Sequence, residues 1–149
     1  MLLLLFEIGS DRYALDARQI VEVVPLVRLK LIPNTPDHIA GLMNYRGAAI
    51  PVIDLCRLLT AVPCENSFST RIIIVKHQVE NSGEVSLALM ANNVTETVQT
   101  SLEALPPSGT IMAETLYGGV SGPDASELIQ WFDVKKIIPE KDFLFPAGE

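Results

Sequence analysis

Asp54, Cys56 and His77 are the side chains of this sequence whose types could do covalent chemistry. A thiol activated by an imidazole, with a carboxylate to orient the ring, makes a nucleophile. Nothing in their spacing requires that arrangement, and Asp54 stands equally well as a helix cap. Cys64 forms no Cys-x-x-Cys unit with Cys56, and His38 and His77 lie far from both in sequence. The cysteines therefore make no disulfide framework, the pattern argues against a zinc site, and a reducing compartment is the natural reading. Gly118-Gly119 is a lone glycine pair, read as a bulge or barrel corner rather than a phosphate cradle. No G-x-S-x-G, H-E-x-x-H or P-loop is present. The expected protein is not an enzyme, carries no cofactor or metal, and works by contact with other macromolecules.

The stretch from Ile39 to Leu55 sharpens that expectation. Gly41 stands where a helix gives way to a strand, at a place suited to positive φ or to a close backbone approach. Arg46-Gly47 is a tight turn with a guanidinium at its tip, and Asn44 can hydrogen-bond the turn backbone. The arginine is either fully exposed or reaches a carboxylate in a bidentate fork. Pro51 inside an apolar strand marks an edge or a bulge. An arginine hairpin beside a free strand edge is a good place to dock a partner.

The elements that must position these residues are mostly short strands. They are read at Leu2–Ile8, Tyr13–Leu15, Val21–Val24, Leu42–Tyr45, Ala48–Ile53, Arg71–Val75, Val85–Ala91, Val94–Gln99, Leu116–Ser121 and Glu127–Asp133. Asp16 caps one helical turn through Ile20, Thr35-Pro36 opens a short helix, Asp54 caps Leu55–Leu59, and Val134–Ile138 forms a last turn before Pro139. Glu22 alternates outward between Val21 and Val23. No helix is long enough to cover a parallel sheet, so βαβ folds are excluded. The expected class is all-β: two small barrels that share one apolar seam and divide near residues 60–70.

With 149 residues, no disulfide or metal is needed to fold. A hydrophobic fraction of 48% with 19% charged residues describes a packed chain. The net charge of −7 argues against nucleic acid and anionic membranes as main partners. The run Leu2–Phe6 has no basic residue before it, and Glu7 and Asp11 follow at once, so it is no signal peptide. No stretch approaches the roughly 18 apolar residues of a membrane span. The expected location is cytoplasmic, without direct membrane insertion, and the chain reads as starting at its first strand without a leader.

Ile39, Gly41, Asn44, Arg46, Gly47, Ile50, Pro51, Val52, Asp54 and Leu55 resemble in register the signature of the CheW-like family, coupling proteins of bacterial chemosensory arrays. The resemblance extends upstream through Phe6–Gly9, Tyr13–Leu15, Ile20–Val24 and Ile32–Pro36, and downstream to Ala91–Val98. Tyr45 departs from it, standing where relatives carry an aliphatic residue. So do Ala91-Asn92 and Gln130–Asp133.

The resemblance implies one CheW-like domain over 1–149, built from two five-stranded, SH3-like barrel lobes at about 16–65 and 70–138, with the N-terminal strand crossing between them. It implies a non-catalytic adaptor that couples the helical tips of methyl-accepting chemoreceptors to the regulatory domain of a CheA-type histidine kinase in chemotaxis, within membrane receptor arrays reached through those partners. The alternative is a CheW-like module of a non-flagellar pathway, for surface sensing or pilus motility. The protein-binding residues implied are Ile20, Glu22, Gly41, Asn44, Arg46 and Gly47. Ile20 has a second reading as core, Gly41 as purely conformational, and Arg46 as pinned in an internal salt bridge.

Overall fold

The computed structural model of the chain describes residues 2–8, 11–65, 68–79, 83–99, 110–112, 128–132 and 138. The strands are β1 (Leu2–Ile8), β2 (Asp11–Asp16), β3 (Ile20–Pro25), β4 (Ile39–Tyr45), β5 (Ala48–Asp54), β6 (Arg71–Val79), β7 (Gly83–Gln99), β8 (Thr110–Met112) and β9 (Leu128–Phe132). One helix, α1 (Leu55–Thr60), follows β5, and a 3-10 turn at Ala17–Gln19 precedes β3. Both are capped as their sequences suggest: Asp16 accepts from the Arg18 N–H and Asp54 from the Arg57 N–H.

The strands fall into two groups that meet on β7. The first half of β7 pairs with β6 and β5, and β3 and β4 extend this group on either side. The second half of β7 pairs with β1, and β2, β9 and β8 follow in order. Among the described residues each group thus holds five strands, counting half of β7 in each. Two strands expected separately, at Val85–Ala91 and Val94–Gln99, are one strand of 17 residues. Asn93, at φ 45°, bends the backbone without ending the ladder.

The two groups of strands do not part at the loop near residues 60–70. Arg71–Val79 and the start of β7 belong with β3–β5, whereas β1 and β2 belong with the C-terminal strands. The reason is pairing: a long hairpin of β6 and β7 offers its outer edges to β3 and β5 before the chain crosses over.

Burial follows from this crossing. Leu3 and Leu5 face the interior of the second group with Ala14 and Ile129, while Leu4, Phe6 and Ile8 face a shared seam. Similarly Ile72 and Ile74 fill the first group's interior, and Ile73 and Val75 turn to the seam. Strands covered on both faces read as continuous apolar runs, as Leu2–Phe6 and Ile72–Val75 do. The seam includes Phe6, stacked on Tyr13 at 5.7 Å and edge-on to Phe132 at 6.0 Å.

No helix forms at Thr35-Pro36. The Thr35 hydroxyl donates to the Ile32 carbonyl, the Ile39 N–H closes a turn on Pro36, and β4 begins at once. The free edge expected at Pro51 is confined to the start of β5. Pro51 pairs with Leu42 on one side, and pairing with β7 begins only at Val52. The expected strand Leu116–Ser121, the pair Gly118-Gly119 and residues 134–137 of the expected last helical turn lie outside the described residues.

Candidate functional site

The hairpin of β4 and β5 closes through two residues, with Tyr45 opposite Ala48. Arg46 and Gly47 both have positive φ, 51° and 86°, as the primed turn favoured in two-residue hairpins demands. The Asn44 side chain steadies the turn by accepting from the Gly47 N–H at 2.9 Å. A left-handed conformation costs a residue with a Cβ about 1–2 kcal/mol, so the arginine is not there for the turn's sake.

What holds the arginine is on the neighbouring element. Glu22 of β3 accepts from the Arg46 guanidinium at 2.7 Å and from the Tyr45 hydroxyl at 2.5 Å, both on one carboxylate oxygen. The guanidinium carbon also lies 5.1 Å from the centre of the Tyr45 ring, within cation–π range. The hydrogen bond to Glu22, with some burial, raises the Tyr45 hydroxyl above its ordinary pKa of 10.0, because ionising it would forfeit the bond and set two negative charges together. The Arg46 side chain is still 73% exposed, against 34% for Glu22. The guanidinium is therefore tethered at one nitrogen and presented to solvent by the rest of its fork.

Glu22 is not directed outward as its alternation predicts. Ile20, Glu22 and Val24 are half-buried, and it is Val21 and Val23 that stand out, each 40% exposed. The phase is reversed because β3 carries a register shift between Ile20 and Glu22 against β6, and because Glu22 has found a donor pair inward of the strand face. Among the described residues β3 pairs only with β6, so it is an edge strand. The segment after it adds Val27 and Leu31 to the exposed apolar side chains. An edge strand with protruding valines beside a tethered arginine has the composition of a docking surface.

The structure thus gathers four of the six candidate residues, Glu22, Asn44, Arg46 and Gly47, at one corner. Ile20 and Gly41 are engaged in packing. Ile20 packs on the shared seam. Gly41 is buried at φ +153°, where a Cβ would lie 2.6 Å from the Lys30 carbonyl oxygen. Sequence reasoning missed Tyr45, Val21 and Val23. The hydroxyl of Tyr45 at a place where relatives are aliphatic was the available signal for the first.

The reading of unlinked cysteines is overturned: Cys56 and Cys64 are joined in a disulfide, with Cα atoms 5.1 Å apart. Eight residues of separation looked unpromising, but the end of α1 folds the chain back through Ala61 in a left-handed conformation. The inference from cysteine usage to a reducing compartment loses its premise. The thiol dyad fails too, since the Cys56 sulfur is already bonded and His77 Nδ1 sits 3.3 Å from the Gln19 amide. The Asp54 carboxylate lies within 4.8 Å of both sulfurs. Its oxygens accept from the Arg57 and Cys64 N–H groups, so its observed work is to cap a helix and anchor the returning chain.

Three comparisons bear on the chain as a whole. The profile of the CheW-like domain family matches residues 2–142. The "Chemotaxis protein CheW" of Helicobacter pylori is 28% identical over 93% of this chain and 81% of its own length. "Protein FrzA" of Myxococcus xanthus is 27% identical over 89% of this chain and 82% of its own. Among solved structures, the scaffolding protein TtCheW from Thermoanaerobacter tengcongensis superposes with a TM-score of 0.68 at 27% identity, covering 96% of this chain and 92% of that one. No helix among the described residues is long and apolar enough to cross a membrane.

Proposed function

The chain belongs to the CheW-like domain family of chemotaxis scaffold proteins, and from that premise we propose that it is a non-catalytic cytoplasmic adaptor. In this reading it couples the helical tip of a methyl-accepting chemoreceptor to the regulatory domain of a CheA-type histidine kinase. The observation that carries the reading is the corner of β3 and the β4–β5 turn, where Arg46 is held by Glu22 beside the exposed Val21 and Val23. An adaptor needs contact surfaces that keep their shape when partners leave. A guanidinium already anchored loses little side-chain freedom on binding, and its remaining donors can meet a partner carboxylate. The adjacent valines supply apolar area for an amphipathic helix or a strand edge.

The test uses the full chain, a purified kinase regulatory domain and a soluble receptor-tip helical hairpin. Both partners are expected to bind, and Arg46→Ala to weaken at least one by about tenfold, or 1.4 kcal/mol, with little change in melting temperature. Retention of neither partner at roughly 50 μM, near −6 kcal/mol, overturns the adaptor reading. A large loss of stability in Arg46→Ala would place the guanidinium in the fold rather than at an interface.

A further inference from the structure

We propose that the Cys56–Cys64 disulfide is a reversible thiol–disulfide latch, which a dithiol reductant opens to release residues 61–65 from the mouth of an adjacent cavity. Four observations lead there.

The first is reach. A cavity of about 460 Å3 opens beside the bond, lined by Cys56, Val62, Pro63 and Glu65 on one side and by Ile8, Asp11 and Asn92 on the other. It lies between the returning chain, the β1–β2 hairpin and the bend of β7. Cys56 is 2% exposed, whereas Cys64 is half-buried, so Cys64 is the more accessible of the two to an incoming thiolate.

The second is how little else fastens the segment. Residues 61–65 belong to no strand, and Val62 is 63% exposed. Among the described residues its polar ties are the Cys64 N–H to Asp54, the Val62 N–H to the Thr60 hydroxyl, the Glu65 carbonyl to the Thr70 hydroxyl, and the Ala61 N–H closing α1. The covalent bond is the strongest of these holds. The third is that Ala61 sustains φ 66° without being glycine, a conformation that a freed segment would readily leave.

The fourth is that the reduced state is accommodated. The Cys64 sulfur sits 3.5 Å from the Met90 carbonyl oxygen on β7, where a thiol hydrogen would have an acceptor until the segment swings out to water. Cys56 packs in the apolar seam, where a free cysteine behaves as a small hydrophobe. Neither sulfur is left stranded when the bond breaks.

The exchange balances. A thiolate of the dithiol attacks the Cys64 sulfur, forming a mixed disulfide while Cys56 departs and takes a proton. The donor's second thiol then displaces Cys64, which is also protonated. Two electrons and two protons pass to the protein, and the donor leaves as its disulfide.

The test needs only the full chain. After equilibration with oxidised glutathione, alkylation under denaturing conditions should label no thiol. After native treatment with dithiothreitol it should label two. Cleavage after Glu65 by a glutamyl endopeptidase should speed up about tenfold or more on reduction, because a constraint on a short loop is removed. Cleavage after Glu84 in the β6–β7 hairpin and the far-ultraviolet circular dichroism should stay the same. The double variant Cys56→Ser, Cys64→Ser should be cleaved at the reduced rate in both buffers. Two free thiols after the oxidised buffer, or a Glu65 rate indifferent to reduction, overturns the latch. So does acceleration at both glutamates with loss of strand signal, which would make the bond a fastener of the whole fold.

Discussion

Replacing Gly41 by alanine would place a Cβ 2.6 Å from the Lys30 carbonyl oxygen, 3.1 Å from the Leu29 Cβ and 3.2 Å from the Lys30 carbonyl carbon. Ordinary contact begins at 3.4 Å, so the nearest atom must retreat by about 0.8 Å. It is backbone and cannot swing aside. The same oxygen accepts from the Leu42 N–H at 2.8 Å, while the Lys30 N–H donates to Leu42 at 2.9 Å. Moving it breaks the bridge that holds the segment after β3 against β4, at about 1 kcal/mol for each bond. Holding alanine at φ +153° adds about 1–3 kcal/mol. Stiffening of the unfolded chain returns about 0.4–1 kcal/mol. The net loss is therefore about 2–5 kcal/mol, or roughly 4–20 °C in melting temperature for a chain of this length. Urea unfolding followed by circular dichroism and by Trp131 fluorescence should show a lower midpoint with an unchanged slope. Gly47→Ala is the control: nothing lies within 4 Å of its Cβ, so only conformational strain of about 1–2 kcal/mol remains. If Gly41→Ala unfolds within about 0.5 kcal/mol of the parent yet loses partner binding, the steric account is wrong and Gly41 acts by direct contact.

Arg46→Asn, which puts the residue best suited to this turn at its first position, should leave the melting temperature unchanged or raise it slightly, while partner binding weakens. A clear drop in stability would mean that the Glu22 pair is worth more than its exposure suggests. Ile73→Ala, in the shared seam at 0% exposure, should cost about 2–5 kcal/mol. Trp131 in the other strand group should report the same midpoint as circular dichroism, and separate transitions would show that the groups unfold independently. Acid titration should reveal Asp16. Burial alone would raise its pKa, but hydrogen bonds and charge from Arg18 win and hold it below 3.8. The unfolded chain therefore takes up the proton first. The stability that Asp16 contributes is complete above that value and falls away as pH drops through it toward the lower folded pKa. Asp16→Asn should be less stable at neutral pH and lose less between about pH 4 and 2, and parallel curves for the two proteins would refute the assignment.

The strands were legible because local pattern decides them. The alternation of β4, the turn residues Arg46-Gly47, and the caps at Asp16 and Asp54 carry their own instructions. So does the two-sided apolar run of β1, whose continuity signals cover on both faces. What was illegible depends on partners distant in sequence. Glu22 and Val23 exchange expected faces because a register shift and a tyrosine 23 residues away set the phase. The cysteine pair depends on how α1 ends, at an alanine with no turn signal of its own. The grouping of β6 with β3 and β5 is a pairing choice that no strand announces by itself. Of the candidate site, the residues of one hairpin were found together, and the neighbour that anchors them was assigned the wrong face.

The cost of the arginine turn shows why that neighbour matters. Left-handed Arg46 costs about 1–2 kcal/mol, and an ion pair whose arginine side is 73% exposed returns about 0.2–1 kcal/mol after screening. The pair therefore offsets, at most, the strain of the conformation it stabilises, and it leaves little surplus for the fold. Hydrophobic contact cannot justify the residue either, since most of its side chain faces water. What the arrangement fixes is position: the turn sets the backbone, the Tyr45 ring sets one side of the guanidinium, and Glu22 sets one nitrogen. Reducing the freedom of a group that makes no net contribution to stability yields an advantage only when something else binds to it, because the entropy of ordering it has then been lost before the encounter. On the adaptor reading the exposed Val21 and Val23 follow the same logic, since a bound partner would bury them.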